Sequence, residues 1–176
     1  MRFDLYAEEA LYGPQGFYTQ HGRAGTQGGD FITSPETSTL FGGCVASYLD
    51  QVWHELECPD PFVVIEAGSG IGSPCRDIFL SIQDCADALR YVMVERSDHQ
   101  RESAFARVTE SCFIDREEIP VAALKDLPVG PFVGVVLANE LLDNLPPRVM
   151  RKTAEGWLEL HVEDENEAWH PAENSA

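Results

Sequence analysis

Apolar positions along this chain switch between two periods. Over residues 36–57, Leu40, Phe41, Val45, Tyr48, Leu49, Val52, Trp53 and Leu56 recur near helical spacing. Ser34-Pro35-Glu36 supplies a start, with Ser34 as N-cap and Pro35 at the first helical position. A shorter helix is expected over 1–11, where Phe3, Leu5, Tyr6, Ala10 and Leu11 are available for an apolar face. Residues 12–35 between them form a Gly-rich loop holding Gly13, Gly16, Gly22, Gly25, Gly28 and Gly29. An apolar run of strand length, Phe62–Ala67, ends in a glycine cluster and leads into a helix near 74–83. A second strand is expected over 91–95, followed by a polar helix near 97–109. The third strand falls at 111–114 or at 119–122, and the fourth at 132–138. This alternation of strand and helix argues for an α/β fold with a parallel, doubly wound sheet. Segments 148–152 and 157–162 flank Thr153-Ala154-Glu155-Gly156 and read as a β-hairpin. From Glu163 onward, acidic residues and Pro171 suggest a disordered tail. The expected division is a 1–57 helix–loop–helix segment, a 58–162 nucleoside-binding domain with the hairpin at 148–162, and a 163–176 tail.

Composition narrows the partners. Twelve Lys+Arg stand against 30 Asp+Glu, a formal net charge of -18. A chain this acidic repels phosphate and is not expected to bind nucleic acid. Its charge suits a basic peptide partner, or simply solubility. No apolar run approaches the ~20 residues of a membrane span, so no membrane partner is expected. The first eleven residues carry Asp4, Glu8 and Glu9 and lack the basic and apolar regions of a signal peptide, so a cytoplasmic location is expected. Cys44, Cys58, Cys75, Cys85 and Cys112 are odd in number and lack CxxC spacing, and the histidines form no HExxH pattern. Neither a disulfide framework nor a metal site is suggested; buried thiols and surface imidazoles are expected.

The richest stretch for chemistry is Val63-Val64-Ile65-Glu66-Ala67-Gly68-Ser69-Gly70-Ile71-Gly72. Here a strand enters a tight turn with glycine at every second position, which permits positive φ and close approach of backbone to a ligand. Such a turn, followed by a helix with free N–H groups, can hold a pyrophosphate or the amino-acid end of S-adenosylmethionine. A dinucleotide site wants GxGxxG, whereas this order is GxGxG. Glu66, two residues before Gly68, would repel a pyrophosphate and favour a cationic amine, which selects S-adenosylmethionine. Glu95, at the end of the second strand, is placed to accept ribose hydroxyls. The same loop could also be a purely structural turn, and Glu95 an ordinary solvent-facing glutamate.

Two further segments resemble a known family. Leu11-Tyr12-Gly13-Pro14-Gln15-Gly16-Phe17-Tyr18, Gly29-Asp30-Phe31-Ile32-Thr33-Ser34-Pro35-Glu36 and Leu40-Phe41-Gly42 resemble the N-terminal signature of the MidA-like methyltransferases. Ala138-Asn139-Glu140-Leu141-Leu142-Asp143-Asn144-Leu145-Pro146 looks like that family's ANE-(F/L)-(F/L)-D-A-LP segment. The resemblance runs in order through about residue 162 and implies a truncated class I methyltransferase (Rossmann-like) fold, with an N-terminal helical and loop segment and a C-terminal hairpin. It implies S-adenosylmethionine as cofactor, near Glu66, Gly68, Gly70, Gly72, Glu95 and Asn139, with Gly29, Asp30, Thr33 and Ser34 packing over it. On local chemistry alone, Asp30 and Ser34 could instead cap backbone N–H groups. The family's loop usually reads GPGRG, where this chain has Ser69 and Ile71 at the Pro and Arg positions. The family also continues for roughly as long again.

Mitochondrial members of the family are arginine methyltransferases that assist respiratory complex I assembly, so the resemblance implies a basic protein substrate. Glu140 and Asp143, after the fourth strand, are the expected catalytic pair. Carboxylates there can orient a guanidinium, and i, i+3 spacing on a helix would put both on one face. They could equally be a charge pair favoured by a helix N-terminus. A non-catalytic assembly module and a nucleotide-binding oxidoreductase fragment stay open as alternatives. An uncovered fourth strand would call for self-association or a complementary C-terminal-half polypeptide.

Overall fold

In a computed structural model of the chain, residues 1–20, 38–114, 118–164 and 166–172 are described here. They divide into two compact units. One comprises Met1–Gly22 with Leu142–Ala176, the other Arg23–Leu141.

The larger unit is built on a four-stranded parallel sheet: β1 Phe62–Ala67, β2 Leu89–Val94, β3 Val121–Leu124 and β4 Gly134–Leu137, in the order β3-β2-β1-β4. The apolar run of β1 is buried almost throughout, as a central parallel strand requires. In register, Glu66 lies opposite Met93 on one side and Leu137 on the other. Gly134 is set against Val63, where a Cβ would stand 1.8 Å from the Val63 carbonyl oxygen; only glycine lets β4 approach β1 there. Among the described residues three helices accompany the sheet: α3 Leu40–Glu55, α4 Ser73–Phe79 and α5 Asp98–Cys112 (α1 Phe3–Tyr12 and α2 Phe17–Gln20 belong to the other unit). Leu49, Phe62, Val64, Ile78, Leu89, Tyr91, Met93 and Val108 form the centre of the core. Helix α3 approaches α4 at Gly42, where a Cβ would lie 2.3 Å from that of Asp77.

Several boundaries differ from the sequence reading. Helix α3 begins at Leu40, and the Ser38 hydroxyl accepts the Leu40 N–H at 3.1 Å. The cap expected at Ser34 and Pro35 lies outside the described residues. Leu40, Tyr48 and Leu56 are exposed, because small Gly42 and Ala46 join Leu49 on the buried face. Of the two candidates for the third strand, the later overlaps β3; residues 111–112 end α5. Cys75 and Cys85 are buried as expected, but Cys44 and Cys58 are exposed.

The smaller unit contains α1 Phe3–Tyr12, α2 Phe17–Gln20, a 3-10 turn Leu142–Asn144, and an antiparallel sheet of β5 Met150–Thr153, β6 Gly156–Glu163 and β7 Asn166–Pro171. The expected hairpin is β5–β6. The expected disordered tail is corrected over Asn166–Pro171, where β7 pairs with β6 from Glu163↔Asn166 to Leu158↔Pro171; 173–176 lie outside the described residues. The Arg151 guanidinium lies 3.7 Å from the Trp169 ring centroid, a cation–π contact across this sheet. Met1 and Val162 exchange backbone hydrogen bonds at 2.8 and 3.0 Å, which fastens the start of the chain to β6.

Candidate functional site

The glycine loop follows β1 as expected. Gly68, Gly70 and Gly72 have φ of +75°, +52° and +77°, the left-handed region that disfavours any residue with a Cβ. Their surroundings differ. A Cβ on Gly72 would stand 3.1 Å from Ala104 Cβ and 3.2 Å from Val108 Cγ2, so this glycine seats the loop on α5. A Cβ on Gly68 would meet Leu141 Cδ1 at 2.9 Å, which brings the segment after β4 over the loop. At Gly70 nothing among the described residues lies within 4 Å of where a Cβ would stand, so those residues leave its outer face open to a ligand.

The loop is tied to the end of β2. The N–H groups of Gly68 and Ser69 donate to the Val94 carbonyl at 2.9 and 3.1 Å. The Gly70 N–H donates to Glu95 Oε2 at 3.0 Å, and the Ser97 N–H to Oε1 at 2.8 Å. Glu95 is therefore a buried brace between loop and strand, not a solvent-facing glutamate. Burial raises its pKa, while the N–H groups of Ser97 and Gly70 oppose the rise. Each carboxylate oxygen has two acceptor sites, so Glu95 can hold both amides and still accept from a ribose.

Glu66 behaves differently from the sequence expectation. Its side chain is buried and its Oε2 accepts the Tyr91 hydroxyl at 2.9 Å. Burial pushes its pKa up to about 8 against the opposing Tyr91 bond, and the nearby Glu95 charge adds to the rise. At neutral pH the isolated site thus holds a mostly protonated carboxyl, and the simple charge argument for a cationic amine does not apply. A cation brought alongside would favour ionisation.

Two hydroxyls beside this loop are orphans. Ser69 Oγ and Ser73 Oγ are buried and have no hydrogen-bond partner among the described residues. Buried hydroxyls are almost always paired, so a pair of orphans at the turn fits a polar ligand that would engage them. Sequence reading missed both, taking Ser69 only as a departure from a pattern. The Ser-Gly-Ile-Gly-Ser spelling of 69–73 was the available signal. Pro74 lies in the first turn of α4 and has no N–H to offer.

After β4 no α-helix forms. Glu140 is an exposed residue at φ +50°, and Asp143 falls in the 3-10 turn. The expected shared helical face of Glu140 and Asp143 is therefore absent. Asn139 is half-buried next to Glu140. Asn144 Oδ1 accepts from Tyr18 at 2.6 Å and its carbonyl from Tyr12 at 2.9 Å, and the two tyrosine rings stack at 5.4 Å. Two sequence-distant signature segments thus meet in the smaller unit. Gly29, Asp30, Thr33 and Ser34 lie outside the described residues. No group of three or more His, Cys, Asp or Glu suited to a metal occurs among the described residues.

A parallel β3-β2-β1-β4 sheet with a glycine turn after β1 and an acid after β2 defines the nucleoside-binding half of a class I methyltransferase fold. Residues 44–175 match a family profile described as S-adenosyl-L-methionine-dependent methyltransferase, and the chain belongs to that family. It is 29% identical over 181 residues to the rat mitochondrial protein arginine methyltransferase NDUFAF7, covering 90% of this chain and 41% of that protein. The Drosophila melanogaster homolog is 29% identical over 185 residues, covering 90% of this chain and 40% of its own length. A crystal structure of a COG1565 superfamily member from Burkholderia thailandensis, bound to S-adenosyl-homocysteine, superposes with a TM-score of 0.77 at 27% identity. It is matched over 99% of this chain and 46% of that one. The chain thus spans less than half the length of these relatives. Family membership removes the oxidoreductase alternative.

Proposed function

We propose that this chain is the cofactor-binding part of a methyltransferase acting on arginine in a basic protein, and that it requires further polypeptide for turnover. The observation that carries this reading is the open face of Gly70, flanked by the Glu95 brace and the orphaned Ser69 and Ser73 hydroxyls. Bound S-adenosylmethionine would supply an electrophilic methyl group. Glu95 would accept ribose hydroxyls, and Ser69 and Ser73 would donate to the polar amino-acid end. Glu66 would ionise beside the cofactor's positive charge. Asn139, after β4, would contribute as a neutral donor and acceptor, and the family resemblance assigns Gly29, Asp30, Thr33 and Ser34 the role of covering the cofactor. Glu140 would orient the guanidinium, assisted by Asp143.

The named relatives support the arginine reading. Their names also include the word mitochondrial, which gives no support to the expected cytoplasmic placement. No helix among the described residues is long and apolar enough to cross a membrane. The need for more polypeptide is supported by β4. Among the described residues it is an edge strand, and Phe132, Val133 and Val136 are exposed on or beside it. Such an edge suits pairing with a further strand, from the same polypeptide, a second copy or a complementary one.

Titration calorimetry with S-adenosylhomocysteine tests cofactor binding. Binding is expected, weakened by about 1–2 kcal/mol in Glu95→Gln, the scale of a charged hydrogen bond. No heat at millimolar ligand would refute the reading for this chain.

A further inference from the structure

Outside the methyltransferase site, three side chains of the larger unit form a connected series. Cys58 Sγ lies 3.6 Å from His54 Nδ1, a contact distance for sulfur. His54 Nε2 lies 2.7 Å from Asp84 Oδ2. The Asp84 carboxylate can only accept, so in the neutral ring Nε2 carries the proton and Nδ1 can present its lone pair to the thiol. This is the order of an activated nucleophile: sulfur, base, orienting acid.

The fold holds the three in place from both sides. His54 sits in the last turn of α3, and Cys58 follows the helix end, where Glu57 and Cys58 take left-handed backbone at φ +64° and +57°. The Cys58 N–H donates to the Trp53 carbonyl at 2.9 Å, and the Trp53 indole N–H to the Pro59 carbonyl at 2.9 Å. Opposite, Asp50 accepts the backbone N–H groups of Gln83, Asp84 and Cys85 at 3.0–3.2 Å, fixing the Asp84 segment against α3. Cys58 is also exposed. The neighbouring Cys85 shows the contrast: burial and its Asp50 contact push that thiol up to about 12.

We infer that Cys58 is a built modification site, a nucleophilic thiol served by His54 and Asp84 that is oxidised by small uncharged hydroperoxides. As sulfur attacks the terminal peroxide oxygen, His54 Nδ1 takes the thiol proton. The O–O bond breaks, and the proton passes to the departing oxygen. The products are a Cys58 sulfenic acid and water or an alcohol; sulfur loses two electrons and the peroxide gains them. Glu55, Glu57 and Asp60 flank the cysteine in sequence and Asp84 faces the histidine, so anionic oxidants are disfavoured. The site is independent of methyl transfer.

Sulfenic acid trapping with dimedone under hydrogen peroxide, read cysteine by cysteine by peptide mass spectrometry, tests this on the whole chain. Cys44 is the internal reference, being exposed on α3. Cys58 is expected to be trapped at least about tenfold faster than Cys44, a low value for general-base assistance. His54→Gln should bring the two rates together while buried Cys75 and Cys85 stay unmodified. If that variant exposes Cys75 or Cys85, Asp84→Asn supplies the comparison, and there too the ratio must fall. Equal rates in the wild type, or a ratio unmoved by the substitution, would overturn the inference.

Discussion

Replacing Glu66 with glutamine should change how the stability of the fold depends on pH. The wild-type carboxyl is buried, accepts a hydrogen bond from the Tyr91 hydroxyl, and has its pKa raised from an ordinary 4.5 to about 8. The folded state therefore binds a proton that the unfolded chain releases between these values. Stability from this site is complete below about 4.5 and is lost as pH rises toward 8. At ~1.4 kcal/mol per pH unit, the loss over the whole window is of the order of 5 kcal/mol, of which roughly 2 kcal/mol falls between pH 6 and pH 8. Glutamine keeps an acceptor for Tyr91 and cannot ionise, so Glu66→Gln should lack this component. Urea unfolding at pH 6, 7 and 8 measures it, with both proteins compared at each pH so that other titrating groups cancel. Glu66→Gln should gain on the wild type by roughly 2 kcal/mol across that range, or about 4–8 °C in melting temperature for a chain of this size. Parallel curves for the two proteins would refute the burial argument and show that the carboxyl is hydrated or paired with a charge.

Gly72→Ala should cost about 1–3 kcal/mol in urea unfolding, because a Cβ would press on Ala104 and Val108 from a backbone at φ +77°. Asn144→Ala should cost about 1 kcal/mol by the same measurement and remove the acceptor at 2.6 Å from the Tyr18 hydroxyl, seen as a change in tyrosine fluorescence. Glu140→Gln, tested in a form of the protein that turns over a basic substrate, should lower kcat far more than it weakens S-adenosylhomocysteine binding; unchanged kcat would remove Glu140 from the mechanism.

What the sequence disclosed and what it hid separate along a physical line. Backbone conformation is encoded locally, and it was legible: the apolar run at Phe62–Ala67 is β1, and the alternating glycines at 68, 70 and 72 do adopt positive φ. Contacts across the fold left weaker traces. Gly42 appeared only as part of a signature, although its role is steric, the close approach of α3 to Asp77 on α4. The acidic stretch after Glu163 looked disordered because charge density masks pairing. Yet β6 offers an edge, and Trp169 gives β7 an aromatic face for Arg151. Charge state was least legible of all. Glu66 and Glu95 are the same residue type at the ends of adjacent strands, but only Glu95 accepts backbone N–H groups, while Glu66 faces a phenol inside the core. Amides stabilise an anion, and an apolar interior with a single hydroxyl does not. The two carboxyls therefore divide the work at the loop: Glu95 braces the turn through backbone amides before any ligand arrives, whereas Glu66, with a single phenol for a partner, is poised to ionise when a positive charge is brought beside it.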